Sequence, residues 1–210
     1  MWAPNIWVAT AEVYDATVRL DMPEPATLGP AVHRLDAVLP TRQRLFGGFA
    51  SADMAAAHPG GTDRPRLLGQ IALALQTLAR APDTTFLQVT PAGEPGLFRI
   101  VLQSHDPLLA EACLREAGQV LDHALRADLP DLVPLIDRLT DLADDVCVGP
   151  GTMLIVRAAA ARGIPWRRMG GDSLVQFGQG VRQHRIWTAV TDRTSAIAEG
   201  IAMNKQLTKD

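Results

Sequence analysis

Gly149-Pro150-Gly151 divides this chain into two stretches of opposite charge, and a single continuous fold has to accommodate that break. Residues 1 to 149 carry 11 Lys and Arg against 19 Asp and Glu, a balance of −8, whereas residues 150 to 210 carry 9 against 4, a balance of +5. The sequence therefore predicts two domains, 1–148 and 149–210. With 210 residues and 47% apolar composition the chain can bury a real core, and disorder of the whole is excluded. The net charge of −3 favours neither nucleic acid nor an anionic membrane as a partner. No basic segment leads into an apolar run at the start, and no stretch approaches 18 uninterrupted apolar residues, so a soluble, cytoplasmic protein is expected.

In the first stretch, Ile6 to Leu20 is rich in β-branched and aromatic residues and reads as a strand ended by Pro23 and Pro25. Leu28 to Leu39 places Leu28, Val32, Leu35 and Leu39 near one helical face, and Pro40 stops it. A loop with Gly47, Gly48, Pro59, Gly60 and Gly61 precedes the helix Arg66 to Arg80, where Leu67, Ile71, Leu75 and Leu78 recur at helical spacing. Thr85 to Val89 and Leu97 to Leu102 flank the turn Pro91-Ala-Gly-Glu-Pro-Gly96 and predict a hairpin. Pro107 to Leu125 is a long amphipathic helix with Asp106 as its cap and proline in its first turn, and Leu132 to Leu142 is another.

Beyond the break, Thr152 to Arg162 predicts a helix with Thr152 near its N-cap, Leu154, Ile155 and Ala158 inward, and Gly163 at its end. Ile164-Pro165-Trp166 is a short strand candidate, and Ser195 to Lys209 a further helix. The order helix, glycine, short strand is that of an α/β unit that has just begun. Exposed apolar surface on the Thr152 and Ser195 helices calls for a partner, and a homo-oligomer is expected.

Chemistry concentrates between Gly171 and Asp210. Gly171, Gly178 and Gly180 relieve backbone crowding, and Arg182, Arg185 and Arg193 supply planar forks of donors suited to carboxylates. Alternatively, these arginines form an ordinary solvated cationic face. His184 is a lone histidine, and Lys205 and Lys209 suit the C-terminal end of a helix. Cys113 and Cys147 read as buried, reduced thiols, and no histidine has metal-ligand spacing, so no metal site is expected.

The series SLVQFGQG, RIW, TSAIA and KQLTK, with GPGTMLIVRAAAARGIPWRR before it, resembles cyanophycin synthetase at the junction where its N-terminal domain passes into an ATP-grasp domain. PNIWVATAEVYDATVRLD, LLGQIALALQTLA and GEPGLFRIVLQ are similar to earlier parts of the same family. The resemblance implies an α/β protein, with an α+β N-terminal domain of mixed strands and helices followed by the first, incomplete α/β element of an ATP-grasp domain. It implies the N-terminal part of an ATP-dependent amino-acid ligase that binds an acidic polymer primer and is inactive alone. ATP and magnesium are expected for the complete enzyme, their lysines and carboxylates lying downstream of the KQLTK position, so no cofactor is expected on this chain alone.

Ser173 matches a position that the family places at the polymer end, and as a residue it suits a plain turn equally well. Ser173, Gly178, Gly180, Arg182, Arg185 and Arg193 are thus the substrate-binding candidates, with no catalytic residue among them. The partners implied are an acidic peptide or cyanophycin-like polymer and a downstream ATP-grasp polypeptide. Where the family helix usually presents histidines and a glutamate, this chain has Gly69, Gln70, Ala72 and Ala74. A standalone acidic-peptide binding module and a structural interaction protein are the alternatives.

Overall fold

The computed structural model describes residues 12–20, 28–39, 63–79, 86–170, 173–188 and 190–195. The helix expected over Ser195 to Lys209, the glycine-rich loop after Leu39 and the first half of the expected opening strand lie outside them. The chain forms two compact units, Met1–Val146 and Cys147–Asp210. Both are mixtures of helices and antiparallel strands.

The first unit has a three-stranded antiparallel sheet in the order β1-β3-β2, with β1 at Val13–Arg19, β2 at Leu87–Pro91 and β3 at Leu97–Gln103. In this register Tyr14, Ala16 and Val18 of β1 and Leu87 and Val89 of β2 share a face with Phe98, Ile100 and Leu102 of β3. Phe98, Ile100 and Leu102 are buried, while Arg99 projects from the other face to Asp15. The predicted hairpin is present, and Gly93 and Gly96 supply the positive φ that its turn needs.

Helix α1 spans Leu28–Val38, α2 Asp63–Leu78, α3 Pro107–Arg126 and α4 Val133–Val146. Helix α2 begins three residues before the expected Arg66, with Asp63 in a first turn where carboxylate charge is favourable. It approaches β2 closely because Gly69 has no side chain: a Cβ there would lie 2.4 Å from Leu87 Cδ1. Helix α3 starts as expected, Asp106 Oδ1 accepting from the Leu108 amide at 2.8 Å with Pro107 in the first turn. Leu67, Ile71, Leu75, Leu109, Val120 and Leu121 are almost completely buried, each worth about 1.5–3 kcal/mol of transfer from water.

The second unit contains α5, Pro150–Ala160, followed by a four-stranded sheet in sequence order: β4 Trp166–Arg168, β5 Leu174–Phe177, β6 His184–Trp187 and β7 Val190–Thr191. Every pairing is antiparallel. The α/β unit expected to begin here takes the form, among the described residues, of a helix followed by an antiparallel meander. Val148, Met153, Val156, Val175 and Ile186 form its core, with Trp166 and Phe177 packed against it.

Two local expectations for α5 are corrected. Its buried face carries Thr152, Met153, Val156 and Ala159, whereas Leu154 and Ile155 are 66% and 41% exposed and Ala158 is also exposed. Thr152 is not the cap: Gly149 is, and the Thr152 hydroxyl donates to the Thr188 carbonyl at 3.2 Å. Gly163, at φ +70°, ends the helix as expected, with Ile164 N–H bonded to the Ala159 carbonyl and Gly163 N–H to that of Ala160.

Candidate anion-binding sheet

Strands β5 and β6 are joined by the loop Gly178 to Gln183, which contains a short 3-10 turn at Gly180–Arg182. Gly178 has φ +72°, and a Cβ there would stand 2.8 Å from the Arg182 carbonyl oxygen, so the loop closes only around an unsubstituted carbon. Its amide donates to the Pro165 carbonyl at 2.8 Å, tying the loop to the entry of β4. Gly180, at φ +57°, has open space where its Cβ would be.

Four of the six candidates, Gly178, Gly180, Arg182 and Arg193, gather at one end of this sheet. Arg193 arrives because β7 runs back along β6, Asp192 N–H bonding to the Arg185 carbonyl at 3.0 Å. Arg185 lies on β6, the second residue in from the loop. Ser173 is brought elsewhere: it precedes β5 at the opposite end, where its carbonyl accepts from the Thr188 amide at 3.4 Å. The length of β5 alone separates it from the loop by roughly 13 Å. A single cradle of Ser173, Arg182 and Arg185 is therefore not what the sheet builds.

The register reveals a row that sequence reading passed over. Arg167, Gln176 and Arg185 are successive cross-strand partners on β4, β5 and β6, on the face opposite Val175 and Ile186. Arg167 and Arg185 are exposed, Gln176 between them is buried, and Arg167 Nη2 donates to Gln176 Oε1 at 3.2 Å. Leu174, Trp187 and Val190 form the adjacent row of the same face, and Trp187 is 61% exposed. Alternation along β5 and β6 was the available signal, and it became usable only once strand pairing was fixed.

On the other face, His184 Nδ1 stands 3.5 Å from Asp192 Oδ1, a weak pairing that leaves His184 half-exposed. Among the described residues no group of three or more His, Cys, Asp or Glu side chains could hold a metal ion. No helix of the described residues is long and apolar enough to cross a membrane.

These observations define a two-unit α+β protein whose second unit presents a cationic antiparallel sheet. Its distant relatives are cyanophycin synthetases. The enzyme of Trichormus variabilis is 30% identical over 153 residues, covering 71% of this chain and 17% of that protein. Those of Geminocystis herdmanii and a Synechocystis strain are each 27% identical over 224 residues, covering 98% of this chain and 24% of theirs. The chain thus spans between 17% and 24% of the length of these relatives. No family model matches it.

Proposed function

We propose that the chain serves an ATP-dependent amino-acid ligase of the cyanophycin synthetase type by binding its acidic polymer primer. The observation that carries this reading is homology to cyanophycin synthetases along 98% of the chain, together with arginines displayed on one sheet. In this reading residues 1–148 are the N-terminal domain of such a ligase, and 149–210 the leading segment of its ATP-grasp domain. Guanidinium groups at Arg182, Arg185 and Arg193 pair with carboxylates of the polymer, and Gly178 and Gly180 let its backbone come near the loop. Ser173 contacts a different part of the same polymer from the far end of β5. Nucleotide and magnesium chemistry is supplied by an ATP-grasp portion acting with this chain.

The test is reconstitution. The purified chain, mixed with an ATP-grasp portion of a relative, should support ATP-dependent extension of an acidic primer and show no ATP hydrolysis alone. Failure of the mixture to extend primer, with both components folded, overturns the ligase reading. A second reading, a structural interaction protein, is favoured by the exposure of Leu154 and Ile155 on α5.

A further inference from the structure

The row Arg167, Gln176 and Arg185 crosses three strands, so its two arginines sit two strand spacings apart, about 9.6 Å. Gln176, buried between them, accepts from Arg167 through Oε1 and fixes one side of that guanidinium, while Arg167 and Arg185 are exposed. The exposed groups of the row are thus two guanidiniums, which are donors alone. Carboxylates meet guanidinium forks with two parallel hydrogen bonds, and a row of forks selects them by spacing.

A charged peptide repels itself into an extended chain, and in the polyproline II form every third residue returns to the same side after about 9.3 Å. That repeat matches the separation of Arg167 and Arg185. In a flat β-strand, same-side residues recur at about 6.8 Å and fall out of step. A track for single-stranded nucleic acid would need successive aromatic platforms, and this face has one exposed ring, Trp187.

We infer that the outer face of β4, β5 and β6 binds an acidic peptide lying across the strands, with carboxylates three residues apart clamped by Arg167 and Arg185. This assignment rests on the proposed acidic ligand and adds its seat and its periodicity. It is separate from the hairpin loop that holds Gly178 and Arg182.

Two labelled peptides with equal numbers of aspartates test it, one repeating Asp-Pro-Pro and one repeating Asp-Pro. Both are held in the polyproline II form and carry the same charge; they differ in the phase of the carboxylates and in length, and the arginine variants below separate the two effects. Titration at low salt against the full chain should show the Asp-Pro-Pro peptide binding about tenfold tighter, a difference the size of one charge-assisted contact. Arg167→Ala or Arg185→Ala should each remove that advantage, and Arg167→Lys should restore part of the affinity without the full preference. Arg157→Ala and Arg162→Ala, which remove the same charge from α5 and the turn after it, should change binding less than about twofold.

Equal affinity for the two peptides, unchanged in Arg167→Ala and Arg185→Ala, overturns the seat while leaving acidic-peptide binding intact. Absence of binding by any acidic peptide, including long polyaspartate, overturns both the seat and the function above. Tighter binding of an oligothymidylate than of either peptide would replace the acidic peptide with nucleic acid.

Discussion

Gly178 and Gly180 both hold positive φ, yet they answer differently to the same substitution. Alanine at either position incurs the left-handed penalty of about 1–2 kcal/mol, but only at Gly178 does the new carbon also meet backbone, 2.8 Å from the Arg182 oxygen. Gly178→Ala should therefore destabilise the second unit by about 2 kcal/mol or more and Gly180→Ala by about 1, read from denaturant unfolding. Equal losses would show that the loop shifts freely. In the first unit, the Asp15 carboxyl is held below its ordinary value chiefly by hydrogen bonds from Arg99, with partial burial opposing and the Arg99 charge reinforcing. Its stabilisation is fully present above the ordinary carboxylate range and is lost as pH falls through the lowered value. Asp15→Asn should accordingly lower melting temperature at neutral pH and bring it toward the parent protein in acid; a constant difference across pH would exclude the linkage. Of the candidate residues, Gly178, Gly180 and Arg182 lie together in one short loop, as their closeness in sequence suggests. Ser173 lies apart from them at the far end of β5, a separation that closeness in sequence conceals because a whole strand intervenes.

At the level of elements, α3 could be read almost to the residue, since Asp106-Pro107 fixes its start through a side-chain acceptor and a residue needing no donor. The α5 helix could be located but not oriented. Met153, Leu154, Ile155 and Val156 are consecutive, so apolar spacing marks no unique face, and the packing with Val175 and Ile186 selects Met153 and Val156. Strand β4 begins at Trp166 rather than Ile164, after Pro165. Val156→Ala should cost about 1.5–3 kcal/mol, whereas Leu154→Ala should stay within about 0.5 kcal/mol, as measured by thermal unfolding. A larger loss at Leu154 would mean that its exposed face is covered in solution, as the structural interaction reading requires. The arginine row stayed hidden for another reason: each member lies on a different strand, and only cross-strand register makes them neighbours.

For the whole molecule, the charge boundary at Gly149 and the division between Val146 and Cys147 fall three residues apart. The two units differ in the depth of their cores. The first buries helices against a sheet, while the described core of the second consists of Val148, Met153, Val156, Val175 and Ile186. Calorimetry should therefore resolve two transitions, the lower belonging to the second unit, and an acidic peptide seated on β4 to β6 should raise only that one. One cooperative transition would show that the units stabilise each other. They also differ in how far the chain must travel to form them. In the meander each strand pairs with the next, but β1 must await β3, Val13 pairing with Gln103 ninety positions later. Closing so long a loop is slow compared with zipping adjacent hairpins, so the arginine-bearing sheet forms quickly once synthesised and docking of β1 sets the pace of folding. Until β3 emerges from the ribosome, the opening strand has no partner within its own sheet, and that interval is when nascent chains are most exposed to pairing with one another.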